Sequence, residues 1–141
     1  MQYRKRRKIS KYRFSLIKKI MLFDIYYYDG MLISEPGVSY KHYFDKAECE
    51  HLANHIHLDD YMDCSDLTKE DFSAIAKLLF YRLKGMYPDV KFIVYWLYDD
   101  DDMPILDFGA IREGEMIYPN LDSEPDRIEY FINEGKSGED N

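Results

Sequence analysis

Val90 to Asp102, VKFIVYWLYDDDD, constrains the fold more than any other stretch of the chain. Phe92 to Tyr98 is unbroken apolar and aromatic sequence, and four aspartates follow it without a gap. In an extended chain Phe92, Val94, Trp96 and Tyr98 point one way, and Ile93, Tyr95 and Leu97 point the other. A strand that is apolar on both faces belongs inside a sheet, with cover on each side. The rest of the chain must therefore supply neighbours for this strand. Asp99 to Asp102 must leave it as a concentrated negative loop.

Those neighbours can be read on both sides of it. Ile20 to Tyr28 reads as a strand and Met31 to Ser34 as its partner. Asp29-Gly30 between them is a type I′ signal, because both central residues of that turn need positive φ. Glu35-Pro36-Gly37 turns the chain again, and Val38 to Phe44 completes a meander. Asp45 with Glu48 gives a capping-box-like start to a helix whose apolar stripe is Cys49, Leu52, Ala53 and Ile56. Leu58 to Asp66 is polar and reads as a loop. Thr68 caps the next helix with Asp71 at N3, and Leu67 and Phe72 are spaced as a hydrophobic staple. Phe72, Ile75, Ala76, Leu79 and Leu83 form its stripe, with Gly85 and Pro88 as the stop.

Beyond the aspartates, Ile105 to Ile111 and Met116 to Tyr118 read as strands. Ser123 and Pro125 open a last helix with Ile128, Phe131 and Ile132 inward, ended by Gly135. The order βββ-αα-βββ-α predicts an α+β fold, an antiparallel sheet of about five to six strands with helices packed on one face. Residues 20–135 form one domain in this reading. Residues 1–19 are a basic, flexible arm and residues 136–141 a disordered tail.

Charge divides the chain at the same place. Residues 1–20 carry nine Lys/Arg and no acid, which leaves 10 basic and 27 acidic side chains, a net of −17, for the remainder. Met21 opens the first structured element, so a start at Met21 is an alternative in which the arm is an upstream extension. The 14 Tyr and 8 Phe are more rings than one core can hide, so several should lie at the surface. Two cysteines, Cys49 and Cys64, make no disulfide framework, and free thiols in a reducing cytoplasm are expected. No apolar run is long enough for a membrane span, and Lys18 and Lys19 interrupt the one segment resembling a secretory signal. The acid-free, Arg-rich arm also suits an organelle transit peptide.

The chemistry-bearing candidates are few. His51 and His55 are four apart and share a helix face, which makes them weak metal candidates. That face lies opposite the Leu52/Ile56 stripe and so towards solvent, and no third ligand is forced near it. On a continuing helix His57 would be turned about 160° from His55. The aspartate run lacks the alternating ligands, central Gly and closing Glu of an EF-hand, so no metal and no cofactor is expected. Asp89-x-Lys91 matches half of a nuclease carboxylate–lysine signature without an identifiable partner carboxylate. There is no nucleophile elbow and no phosphate-cradling glycine loop, so an enzyme is not expected.

A negative body with surplus aromatic residues fits binding to a basic protein, since Tyr and Trp are enriched at interface hot spots. The expected function is a small acidic, protein-binding inhibitor. Its expected partner is a nuclease toxin or other nucleic-acid enzyme, by analogy in charge and size with immunity proteins and phage-encoded inhibitors. Tyr95, Tyr98, Asp99, Asp100, Asp101 and Asp102 are the expected partner-binding residues. One alternative is a nucleic-acid-associated module whose arm residues Arg4, Lys5, Arg6, Arg7, Lys8, Lys11 and Arg13 contact phosphates, with rings for stacking. A second alternative is a metal-dependent hydrolase acting through the histidines.

Overall fold

The structure, a computed structural model, describes residues 17–18, 22–34, 39–61, 63–117 and 127–135. The arm residues Arg4 to Arg13, the tail 136–141 and the proposed helix start at Ser123 and Pro125 lie outside the described residues. The elements bounded within the described residues are β1 Tyr26–Tyr28, β2 Met31–Ile33, α1 Lys46–Ala53, β3 Ile56–His57, α2 Lys69–Met86, β4 Phe92–Tyr98, β5 Pro104–Ala110 and β6 Ile128–Asn133. They form an α+β fold with two antiparallel sheets, a β1-β2 hairpin and a four-stranded sheet of order β3-β5-β4-β6.

β4 is interior, as its two apolar faces require, paired with β5 on one edge and β6 on the other. Phe92, Val94 and Trp96 are buried against Phe72, Ile75, Ala76, Leu79 and Leu83 of α2. Register places Leu106 and Phe108 of β5 and Phe131 of β6 on this same face. The start of α2 is set locally. Thr68 accepts from the Asp71 N–H while Asp71 accepts from the Thr68 N–H, completing a capping box. Gly85 does not end α2. The helix runs through it to Met86 and stops before Pro88, which cannot continue it.

The hairpin turn is as predicted, with Asp29 at φ 53° and Gly30 at φ 75°. The strand before it is shorter than expected. The Phe23 carbonyl accepts from Arg82 and the Ile25 carbonyl from the Tyr87 hydroxyl, so α2 and the residue beyond it take backbone groups that a longer strand would pair. Of the expected third strand Val38 to Phe44, Val38 lies outside the described residues, as does the turn at Glu35-Pro36-Gly37, and Ser39 to Phe44 form no strand. Ser39 caps a 3-10 turn over Tyr40–His42, and Tyr40 and Tyr43 pack on Met31, Ile33 and Cys49. A second 3-10 turn, Leu58–Asp60, follows β3 in the segment expected to be loop. Met116 and Ile117 are irregular, and Tyr118 lies outside the described residues.

The largest correction is at the C-terminal end. Ile128 to Asn133 is a strand rather than a helix, so the element order is ββ-α-β-α-βββ. β6 pairs with β4 over six residues, from Leu97↔Ile128 to Phe92↔Asn133. The free edge of β4 decides the matter, because an unpaired, apolar central strand would leave a row of buried backbone groups unmet. Gly135 then serves a different purpose from a helix stop. At φ 67° it brings its backbone against Asp89 and Lys91, where a Cβ would lie 2.8 Å from the Asp89 carbonyl oxygen.

The two helices do not share a face of the sheet. α1 lies over β5 on the side opposite α2, with Glu50 against Gly109. Of the predicted stripe Cys49 is buried, but Leu52 is 56% exposed, and Glu50 and Asn54 are buried instead. Beyond Leu106, the edge of β5 away from β4 has no strand beside it among the described residues, and β2 lies across the gap. Glu50 Oε2 accepts from Leu32 N at 2.7 Å and Ala110 N at 2.8 Å. Asn54 Nδ2 donates to the Leu32 and Phe108 carbonyls, each at 2.8 Å. These two side chains, four residues apart, stand in for a strand and join the two sheets. Burial pushes the Glu50 carboxyl up to about 7, opposed by Arg112, whose Nη2 lies 2.5 Å from Oε1, and by the Ala110 and Leu32 N–H groups.

Candidate functional site

Two places on the described residues bring chemistry-bearing side chains together. The first is the β4–β5 turn, which holds the aspartate run. Asp99 is used by the turn itself, since its Oδ1 accepts from Asp101 N and Met103 N at 2.9 Å each. Asp102 adopts φ 58°, a left-handed conformation that Asp tolerates better than most residues, and pairs with Arg127 at 3.2 Å. Asp100 and Asp101 are exposed. The four carboxylates therefore divide into a turn-former, a partly neutralised rim residue and two that face solvent.

Beside this turn is an open groove of about 570 Å³. Asp59 and Asp63, from the segment after β3, line it together with Tyr98 and Asp102, and Leu67 and Phe72 give it apolar wall. Tyr98 is half-buried, its ring edge-on to Phe72 and Trp96. Burial, with Asp102 and Glu70 nearby, raises the Tyr98 hydroxyl above its ordinary pKa, so it remains a neutral donor. Sequence reasoning placed Tyr98 and Asp102 here but missed Asp59 and Asp63. Their signal was the acid density of Leu58 to Asp66, a segment read only as loop.

Tyr95 does not belong to that surface. It is 2% exposed and points to the opposite face of the sheet, where its hydroxyl donates to Asp107 Oδ2 at 3.0 Å. A partner arriving at the aspartate turn would not meet it. Trp96 is core, its indole N–H directed at Glu129.

The second place is the cluster that Tyr95 enters. His51 sits on α1 but turns inward onto the sheet, rather than out to solvent. Its Nδ1 lies 3.0 Å from both the Tyr95 hydroxyl and Asp107 Oδ2. α1 ends at Ala53, so His55 is not on the helix, and its Nδ1 reaches the same Asp107 oxygen at 3.3 Å. The end of the helix also cancels the expected separation of His55 and His57. Their rings meet edge to face with centroids 4.7 Å apart. Asp107 is fully buried, and its other oxygen is held by the Phe108 N–H at 2.7 Å. A small cavity of about 20 Å³ touches Glu50, His51, Tyr95, Asp107 and Gly109. Asp107 was absent from the sequence reading. Its signal is a lone carboxylate in ILDFGA, which the register sets directly opposite Tyr95.

The remaining candidates are unremarkable. Cys49 is buried, which raises the pKa of its thiol, and Cys64 is half-buried against the core. Lys91 pairs with Glu134 at 3.6 Å on the surface, and Asp89 is exposed. Surface tyrosines are present as expected, at Tyr26, Tyr27, Tyr61, Tyr81 and Tyr130. No described helix is long and apolar enough to cross a membrane.

Fold and site thus define a small α+β protein with an acidic groove on one side and a histidine–aspartate–tyrosine cluster on the other face of its sheet. Residues 4–134 match the Uncharacterized protein PM0498 family, and the chain belongs to it. That span takes in the basic arm as well as the folded body. No curated protein and no solved structure matches the chain.

Proposed function

We propose that this protein is an acidic, cytoplasmic, protein-binding inhibitor that engages a basic partner through the groove beside the β4–β5 turn. The partner class is a nucleic-acid-acting enzyme such as a nuclease toxin. One observation carries the reading. Three carboxylates from two separate segments, Asp59 and Asp63 with Asp102, line one open groove together with Tyr98. Gathering like charges costs stability through self-repulsion, and a cationic partner would offset that cost. A cleft that binds phosphates is lined with Lys and Arg, so it has the complementary charge for this groove. The field of the net −17 body would speed encounter, and occupation of the cleft would then exclude nucleic acid.

Photo-crosslinking tests this in cells that naturally make the protein. A benzophenone side chain at position 98 should capture a basic protein. Asp59→Asn, Asp63→Asn and Asp102→Asn together should reduce the capture by about tenfold or more, in keeping with the worth of close interfacial charges. Capture of an acidic protein, or equal yield from the triple variant, contradicts the reading.

A further inference from the structure

We infer that His51, His55 and Asp107, with Tyr95 beside them, form a binding site for one divalent transition-metal ion such as Zn²⁺ or Fe²⁺. The site lies on the opposite face of the sheet from the acidic groove and stands independently of it. One ligand atom from each of His51, His55 and Asp107 lies within 4.8 Å of the other two, and Asp107 Oδ2 is 3.0 Å from His51 Nδ1 and 3.3 Å from His55 Nδ1. The Tyr95 hydroxyl adds a fourth atom, 3.0 Å from both His51 Nδ1 and Asp107 Oδ2.

The spacing suits a metal better than a set of hydrogen bonds. His51 Nδ1, Tyr95 Oη and Asp107 Oδ2 make a triangle with all three sides 3.0 Å. Three hydrogen bonds around it would need three protons. With the carboxylate ionised the corners hold at most two, one on the imidazole nitrogen and one on the phenol. A cation about 2.1 Å from each corner would sit about 1.2 Å out of the plane and satisfy all three at once. His55 Nδ1, 3.3 Å from the shared oxygen, falls within the about 3.0–3.4 Å that separates neighbouring ligands at such bond lengths.

The surroundings support the same assignment. The Phe108 N–H holds the second oxygen of Asp107, which is how outer-shell contacts orient a ligating carboxylate. The ring of His57 packs on that of His55 and restrains it. The adjoining cavity of about 20 Å³ has room for a single ion or water. His51 and His55 are each about a quarter exposed (25% and 26%), so an ion can enter between them while Asp107 stays buried. Two imidazoles and one carboxylate favour first-row transition metals over Mg²⁺ and Ca²⁺, which prefer all-oxygen sites.

The test uses the full chain, stripped with a chelator and titrated with Zn²⁺ in excess Mg²⁺, which occupies surface carboxylates. One equivalent of Zn²⁺ should bind. His55→Ala should weaken it by about a hundredfold, at the upper end of what even outer-shell losses cause, and His57→Phe should change it far less. Far-ultraviolet circular dichroism checks that each variant is folded. Should a variant fail to fold, diethyl pyrocarbonate labelling of the wild type gives the answer, with Zn²⁺ protecting His51 and His55 more than His57. Tight binding that survives in a folded His51→Ala/His55→Ala variant overturns the inference. So does Zn²⁺ binding abolished by Mg²⁺, or equal labelling of the histidines with and without Zn²⁺.

Discussion

Asn54 is the residue on which the joining of the two sheets most directly depends, and its replacement by alanine has a calculable cost. Its amide donates to the Leu32 and Phe108 carbonyls at 2.8 Å, and its Oδ1 accepts from Ser34 N at 3.0 Å. The side chain is 1% exposed, so water does not readily replace it. At about 1 kcal/mol for each hydrogen bond, Asn54→Ala should cost about 3 kcal/mol, and more if the carbonyls stay dry. Against a total stability of about 5–15 kcal/mol that loss is large. Urea denaturation should show it as a midpoint lowered by about 1–2 M at a slope of about 2 kcal/mol per M. Hydrogen exchange at Ser34, Leu32 and Ala110 should rise above its global level, because the hairpin can then open alone. Asn54→Asp, which keeps the acceptor for Ser34 but sets an oxygen against two carbonyls, should be at least as damaging. A loss below about 1 kcal/mol in both variants would show that the Asn54 bonds do not hold the sheets together.

Other substitutions separate the remaining parts of the account. Arg112→Met leaves Glu50 buried without its cation and removes the bond to the Gly30 carbonyl, so thermal denaturation should report a loss of about 3 kcal/mol. Gly135→Ala and Gly85→Ala should move the urea midpoint in opposite directions. The first places a Cβ 2.8 Å from the Asp89 carbonyl oxygen at positive φ and should cost about 2 kcal/mol. The second meets nothing within 4 Å inside a helix and should gain about 0.5–1 kcal/mol. Thr68→Ala removes the cap of α2 and should cost about 1 kcal/mol, which Thr68→Ser should largely restore.

The parts of the fold legible in the sequence are those written locally. The unbroken apolar run of β4, the Thr68 capping box and the Asp29-Gly30 turn each state their structure within a few residues. β6 does not. IEYFIN carries apolar residues at i, i+3 and i+4, as a helix would, and only the vacant edge of β4 makes it a strand. α1 misleads for another reason. A hydrophobic stripe locates the buried face only when apolar residues fill it, whereas Glu50 and Asn54 are buried to pair strand edges. The sites divide in the same way. The aspartate run is visible as sequence, but its convergence with Asp59 and Asp63 depends on how the segment after β3 returns past β5. Asp107 meets His51 and His55 only once β3 and α1 are laid beside and over β5. No spacing rule along the chain contains that distance.

The central proposal, that charge at the groove recruits and holds a basic partner, is tested most directly by the salt dependence of association. The rate constant for the protein captured at position 98 should be measured by stopped flow from low to high NaCl. Wild type should associate at least about tenfold faster at the low-salt end. The Asp59→Asn/Asp63→Asn/Asp100→Asn/Asp101→Asn variant should be slower there, and the two rates should converge as salt screens the field. A rate that ignores salt, and is unchanged in the variant, would contradict the account.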